Sequence, residues 1–136
     1  MDLHRFNLDG SGLTRVLGEL EARIMEAVWG LGEPTGKEIR DLLDPQPHYK
    51  TVLTVANRLV EKGLLKREAT GYRTFRYGAV ESREAFLGRV SARVATGLVG
   101  DFGRQALAHL VRAADSVDPA YLDELERLVH ERRENR

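Results

Sequence analysis

The sequence predicts a mainly α protein with one small β-hairpin, on three observations. Apolar residues recur at helical spacing through most of the chain. One stretch, "LLKREATGYRTFRYG", instead places two short β-prone runs around a turn. The 136 residues are 42% apolar, enough for one compact domain, or a small domain with an appendage.

The elements follow in order. In "LGELEARIMEAVWGLGEP", Leu17, Leu20, Ile24, Ala27, Val28 and Leu31 keep helical spacing, and Glu19, Glu21, Arg23 and Glu26 interrupt them with polar groups. Gly30, Gly32 and Pro34 stop this helix, and Trp29 near its end is a core residue. "PTGKEIRDLLDPQP" is a second, shorter helix. Thr35 and Glu38 have the spacing of a capping box, and Pro45 and Pro47 close the segment.

A third helix lies in "HYKTVLTVANRLVEKGLLKRE". Val52, Val55, Ala56, Leu59 and Val60 form its apolar stripe, and Lys50, Thr54, Asn57 and Glu61 lie opposite. Thr51, Leu53 and Arg58 flank them, and Gly63 ends the helix. Two strands, about 64–69 and 73–77, then meet at a turn on Thr70 and Gly71. Three short helices followed by a hairpin describe a winged helix-turn-helix. The order is more specific than any single element.

The remainder is helical. Phe86, Val90 and Val94 form one stripe before Gly97, Gly100 and Gly103 interrupt it, each at about 1 kcal/mol against alanine. Leu107, Leu110 and Val111 resume the spacing. A last helix, capped by Asp118 with Pro119 at its first position, carries Tyr121 or Leu122, Leu125, Leu128 and Val129. Such helices find too little partner surface within one chain, so a second chain is expected. The expected division is 1–16 as a flexible N-terminal extension, 17–78 as a winged-helix DNA-binding domain and 79–136 as a helical dimerisation region.

Composition excludes several functions. With no cysteine there is no disulfide, thiolate metal site or thiol redox switch. His4, His48, His109 and His130 are scattered, so neither metal nor cofactor is expected. No paired carboxylates, nucleophile–base arrangement or phosphate-cradling glycine loop argues for an enzyme. The N-terminus does not read as a signal peptide, and no run is long enough to insert in a membrane, so a cytoplasmic protein is expected.

Charge is informative only locally. The formal net charge is zero, yet His48 to Tyr77 holds seven cations against two carboxylates, a net of +5. Such a window is either a solvated surface or a polyanion site. The major groove admits an α-helix and displays hydrogen-bonding base edges. Lys50, Thr51 and Thr54 suit that groove, with Asn57 and Arg58 nearer the DNA backbone. Arg73 and Arg76 on the hairpin would address phosphates or the minor groove. Leu53 either touches thymine methyls or packs within its own domain.

The segments "LGELEARIMEAVW", "YKTVLTVANRLVEKGLL" and "GYRTFRYG" resemble the penicillinase-repressor family of bacterial transcription factors, also called BlaI/MecI/CopY. The resemblance is close over residues 17–78 and extends to the helical tail in layout. It implies a homodimeric repressor on a pseudo-palindromic operator in double-stranded DNA, with Tyr49, Lys50, Thr51, Thr54, Arg58 and Arg73 facing the DNA. The dimer contact is expected from Phe86, Val90, Leu107, Leu110, Val111, Leu122, Leu125 and Leu128. The copper-responsive branch carries a cysteine-rich motif that this chain lacks. Some members are inactivated by a sensor protease. The Asp101–Phe102 bond, among Gly97, Gly100 and Gly103, approximates that region; the other reading is a simple bend. The alternative function is a winged-helix protein-interaction module without sequence-specific DNA binding.

Overall fold

Local capping decides where the first helices begin. A computed structural model describes residues 5–136; His4 and the rest of the first four residues lie outside the described residues. Helix α1 (Glu19–Leu31) starts where the Gly18 amide donates to Glu21 Oε1 at 3.0 Å. It ends at Gly32, whose φ of 92° is readily adopted only by glycine. Helix α2 (Gly36–Leu42) carries the expected capping box: the Glu38 amide donates to Thr35 Oγ1 at 3.2 Å, and the Thr35 amide to Glu38 Oε1 at 3.0 Å. Helix α3 (Tyr49–Glu61) then leads into strands β1 (Leu65–Gly71) and β2 (Thr74–Ala79).

The hairpin differs from its sequence reading in one respect. Its turn lies at Tyr72 and Arg73, not at Thr70 and Gly71. Antiparallel pairing runs from Leu65 opposite Ala79 to Ala69 opposite Phe75, then shifts register so that Gly71 faces Thr74. Arg73 takes a φ of 59° to close the loop. A short third edge joins the hairpin: Thr35 bridges Arg76, and the Tyr77 amide donates to the Pro34 carbonyl at 2.8 Å.

These elements form a first unit that reaches Phe86, past the boundary expected at 78. Ile24, Val28, Ile39, Val52, Ala56, Leu59 and Phe86 are fully buried within it. Phe86, expected in the dimer contact, is instead core: its ring centroid lies 5.6 Å from that of Trp29, whose Nε1 donates to the Glu81 carbonyl. Burying such a side chain stabilises by about 1.5–3 kcal/mol, and one chain suffices to do it. Val90 is also buried in the single chain.

Residues 5–16 make contacts among themselves. A 3-10 turn, Gly12–Arg15, buries Leu13, and the Arg15 guanidinium lies 5.5 Å from the centre of the Phe6 ring. A partly buried ion pair joins α1 to the end of α3, with Lys62 Nζ 2.7 Å from Glu21 Oε2. Burial pushes the Glu21 carboxyl up, but the Lys62 ammonium, the Gly18 amide and Arg58 outweigh it and hold the carboxyl below its ordinary range.

The second unit runs from Leu87 to Arg136. Helix α4 (Arg83–Phe102) begins in the first unit and continues unbroken through Gly97 and Gly100, which the sequence reading had as interruptions. Backbone hydrogen bonds keep a helix intact against two glycine penalties when its other residues favour it. The break falls at Gly103, with φ 56°. Helices α5 (Arg104–Val117) and α6 (Ala120–Glu134) follow and pack on each other. Asp118 Oδ1 accepts from the Ala120 amide at 3.0 Å, but the N-cap position of α6 falls at Pro119, one residue later than the expected cap at Asp118. No helix among the described residues is long and apolar enough to cross a membrane. No cluster of metal-ligating side chains occurs among them.

Candidate nucleic-acid interface

Helix α3 separates two chemistries by its period of 3.6 residues. Val52, Val55, Ala56 and Leu59 point into the core. Lys50, Thr51, Thr54 and Arg58 are exposed, and Tyr49 is partly so. The Lys50 and Arg58 side chains form no ion pair among the described residues. Thr54 Oγ1 donates to the Lys50 carbonyl at 2.9 Å, which fixes the hydroxyl and leaves its lone pairs facing outward to accept.

Three of the seven cations between His48 and Tyr77 are already engaged inside the unit. Lys62 pairs with Glu21. Arg67 donates to Asn57 Oδ1 at 2.9 Å and lies over the Phe75 ring, 4.5 Å from its centre. Arg76, expected to meet DNA, donates to the Glu33 carbonyl at 2.9 Å and to Glu38 Oε1 at 3.2 Å. It fastens the hairpin to the α1–α2 connection. The four cations left, Lys50, Arg58, Lys66 and Arg73, are all exposed, so the basic footprint is narrower than the seven in the sequence suggest.

Asn57, expected near the DNA backbone, has its side-chain oxygen engaged inside the domain. Its Oδ1 accepts from the hydroxyl of buried Tyr77 at 3.0 Å as well as from Arg67. Leu53 is partly buried and lies close to Gly36. A Cβ at Gly36 would sit 2.6 Å from Leu53 Cδ2, so glycine there lets α2 approach α3. Leu53 also forms part of a shallow hollow of about 330 Å³ between α3 and the hairpin, together with Tyr49, Arg73 and Phe75.

Two residues escaped the sequence reading. Lys37, on α2, is exposed at the rim of the same hollow. Tyr72 is 86% exposed at the hairpin tip, with the Arg73 guanidinium 5.0 Å from its ring centre. An aromatic between Gly71 and Arg73 was the available signal, hidden by placing the turn two residues early. Exposed cations and hydroxyls on one helix face, beside a hairpin tipped by tyrosine and arginine, can bind phosphates and base edges.

The penicillinase repressor family model matches residues 17–131. An uncharacterised 16.5 kDa protein encoded in the ptsI 3′ region of Latilactobacillus sakei is 41% identical over 61 residues, 43% of this chain. The match spans 41% of that protein's length. Among solved structures, the complex structure of hsRosR-S1 superposes with a TM-score of 0.47 at 20% identity, covering 78% of this chain and 97% of the other. RosR of H. salinarum, grown from NaBr, gives a TM-score of 0.47 at 21% identity, covering 76% and 97%.

Proposed function

The chain belongs to the penicillinase repressor family, and we propose that it is a DNA-binding transcriptional regulator, not an enzyme, that acts as a homodimeric repressor on a pseudo-palindromic operator. The observation that carries this reading is the outer face of α3, where Lys50, Thr51, Thr54 and Arg58 stand exposed over a fully packed inner face. Thr51 and Thr54 contact base edges, Lys50 and Arg58 hold phosphates, and Tyr49 and Arg73 flank them. Such a protein works in the cytoplasm, where its DNA lies.

The dimer is built by the second unit. Leu107, Leu110, Val111 and Leu128 are all more than 40% exposed in the single chain, although they lie on the helical stripes of α5 and α6. Val111, Leu122, Leu125 and Val129 line an apolar hollow of about 460 Å³. A second copy that covers these stripes removes them from water.

A winged-helix protein-interaction module would need no polyanion affinity. Retention on immobilised heparin, in excess of that of a neutral protein of equal size, is the outcome expected here despite the zero net charge. Passage in the void volume would favour the interaction module.

The same reading includes inactivation by a sensor protease at Asp101–Phe102. Both residues are exposed, Phe102 at 64%, and the bond ends α4 beside the helix break at Gly103. Proteases need extended chain, and a helix end next to glycine opens at low cost. Limited proteolysis is expected to cut first within 97–103. First cuts in the N-terminal segment or hairpin, with 97–103 intact, would make this region a bend only.

A further inference from the structure

Helix α3 and the hairpin converge on one oxygen atom, and we infer that Asn57 is a positioning residue that sets where the hairpin tip stands relative to the groove-facing side chains of α3. This rests on the DNA-binding reading above. Asn57 Oδ1 accepts both the Tyr77 hydroxyl, at 3.0 Å, and Arg67 Nη1, at 2.9 Å. Arg67 and Tyr77 are directly paired across β1 and β2, so each strand supplies one donor. Tyr77 is only 1% exposed, which makes its hydroxyl expensive to leave unpaired. Arg67 is further held in place over the Phe75 ring.

The geometry acts as a lever. Asn57 lies one helical turn beyond Leu53 and three residues beyond Thr54, on the element that carries the base-reading side chains. From the Arg67–Tyr77 pair to the Tyr72–Arg73 tip the strand runs about 15 Å at roughly 3.3 Å per residue. A tilt of about 10° at the base therefore moves the tip by roughly 2–3 Å, enough to break a hydrogen bond to a phosphate. With its oxygen occupied twice, Asn57 contributes to DNA binding by holding the angle between helix and hairpin.

The test has two arms. In the free protein, amide order parameters at 70–74 are expected to fall from about 0.85 toward 0.6 in Asn57→Ala, and to recover in Asn57→Asp, which keeps the acceptor. Tyr77→Phe, which deletes only a hydroxyl, should give a smaller fall and serves if Asn57→Ala does not fold. Unchanged order in a folded Asn57→Ala, or in Tyr77→Phe if that is the variant available, overturns the proposal. In the second arm, Arg73→Ala is titrated against a duplex enriched from a randomised pool. It should weaken binding about tenfold in the wild-type background and less than about twofold in the Asn57→Ala or Tyr77→Phe background. Equal losses in both backgrounds overturn it, since a purely structural role would be additive. Wild-type protein that binds no duplex would fail the DNA-binding reading itself, while the order parameters still decide the lock.

Discussion

Leu125→Glu combined with Leu128→Glu is expected to yield a monomer in sedimentation, with binding to a two-half-site duplex weakened roughly 10²- to 10⁴-fold. The argument begins with α6. Its 15 residues include none that is buried in the single chain, and helices of this length are marginal in water without tertiary cover. Leu128 is 46% exposed and Leu125 half-buried, both on the stripe that also holds Leu122. In an isologous contact each substitution occurs twice, so four carboxylates enter one apolar seam. Linking two winged units is what makes the second half-site contact intramolecular, and the whole of that avidity is lost on dissociation. Affinity for a single half-site should hardly change. An unaltered sedimentation coefficient would place the interface elsewhere.

The second large effect separates phosphate from base contacts on α3. Lys50→Ala with Arg58→Ala should weaken selected and random duplexes alike. It should also flatten the plot of log affinity against log salt by about 1.8 for each winged unit, two phosphate contacts at roughly 0.9 each. Thr54→Ala should do the reverse: random-duplex affinity stays, and discrimination falls by about 1–3 kcal/mol. If Thr54→Ala kept full selectivity, Thr54 would leave the reading face. If Lys50 and Arg58 changed selectivity without changing the salt slope, they would be base contacts.

How much of this was legible in the sequence depends on how local the cause is. The Thr35–Glu38 capping box and the α3 stripe depend on residues within one or two turns; the box stands where its spacing put it, and four of the five stripe residues are buried, Val60 only partly so. Phe86 proved to be core, and Asn57 and Arg76 gained partners that the sequence did not show, because those partners lie far along the chain. Asn57 meets Tyr77, Arg76 meets Glu33 and Glu38, and Phe86 meets Trp29. A polar residue on an outer helix face looks the same in sequence whether it meets water, DNA or a buried hydroxyl. The fold was easier to read than the site for that reason. Leu53 shows the same limit from the other side: its closeness to Gly36 could not be read from the sequence.

The glycines mark a second limit. Gly97 and Gly100 lower helix propensity but do not end α4, whereas Gly103 does, with a positive φ. Propensity counts a penalty at each glycine and cannot say which one adopts the left-handed conformation. At the hairpin, pairing through Ala69 and Gly71 outlasted the turn signal of Thr70 and Gly71, which hid Tyr72 from the list of candidate contacts.

Selection of duplexes from a randomised pool by the wild-type protein, followed by sequencing, tests the central claim most directly. The prediction is an enriched inverted repeat whose half-sites are centred about one helical turn, or a multiple of it, apart. A pool that emerges without enrichment, or with a single unrepeated half-site, would contradict a homodimeric operator-binding repressor.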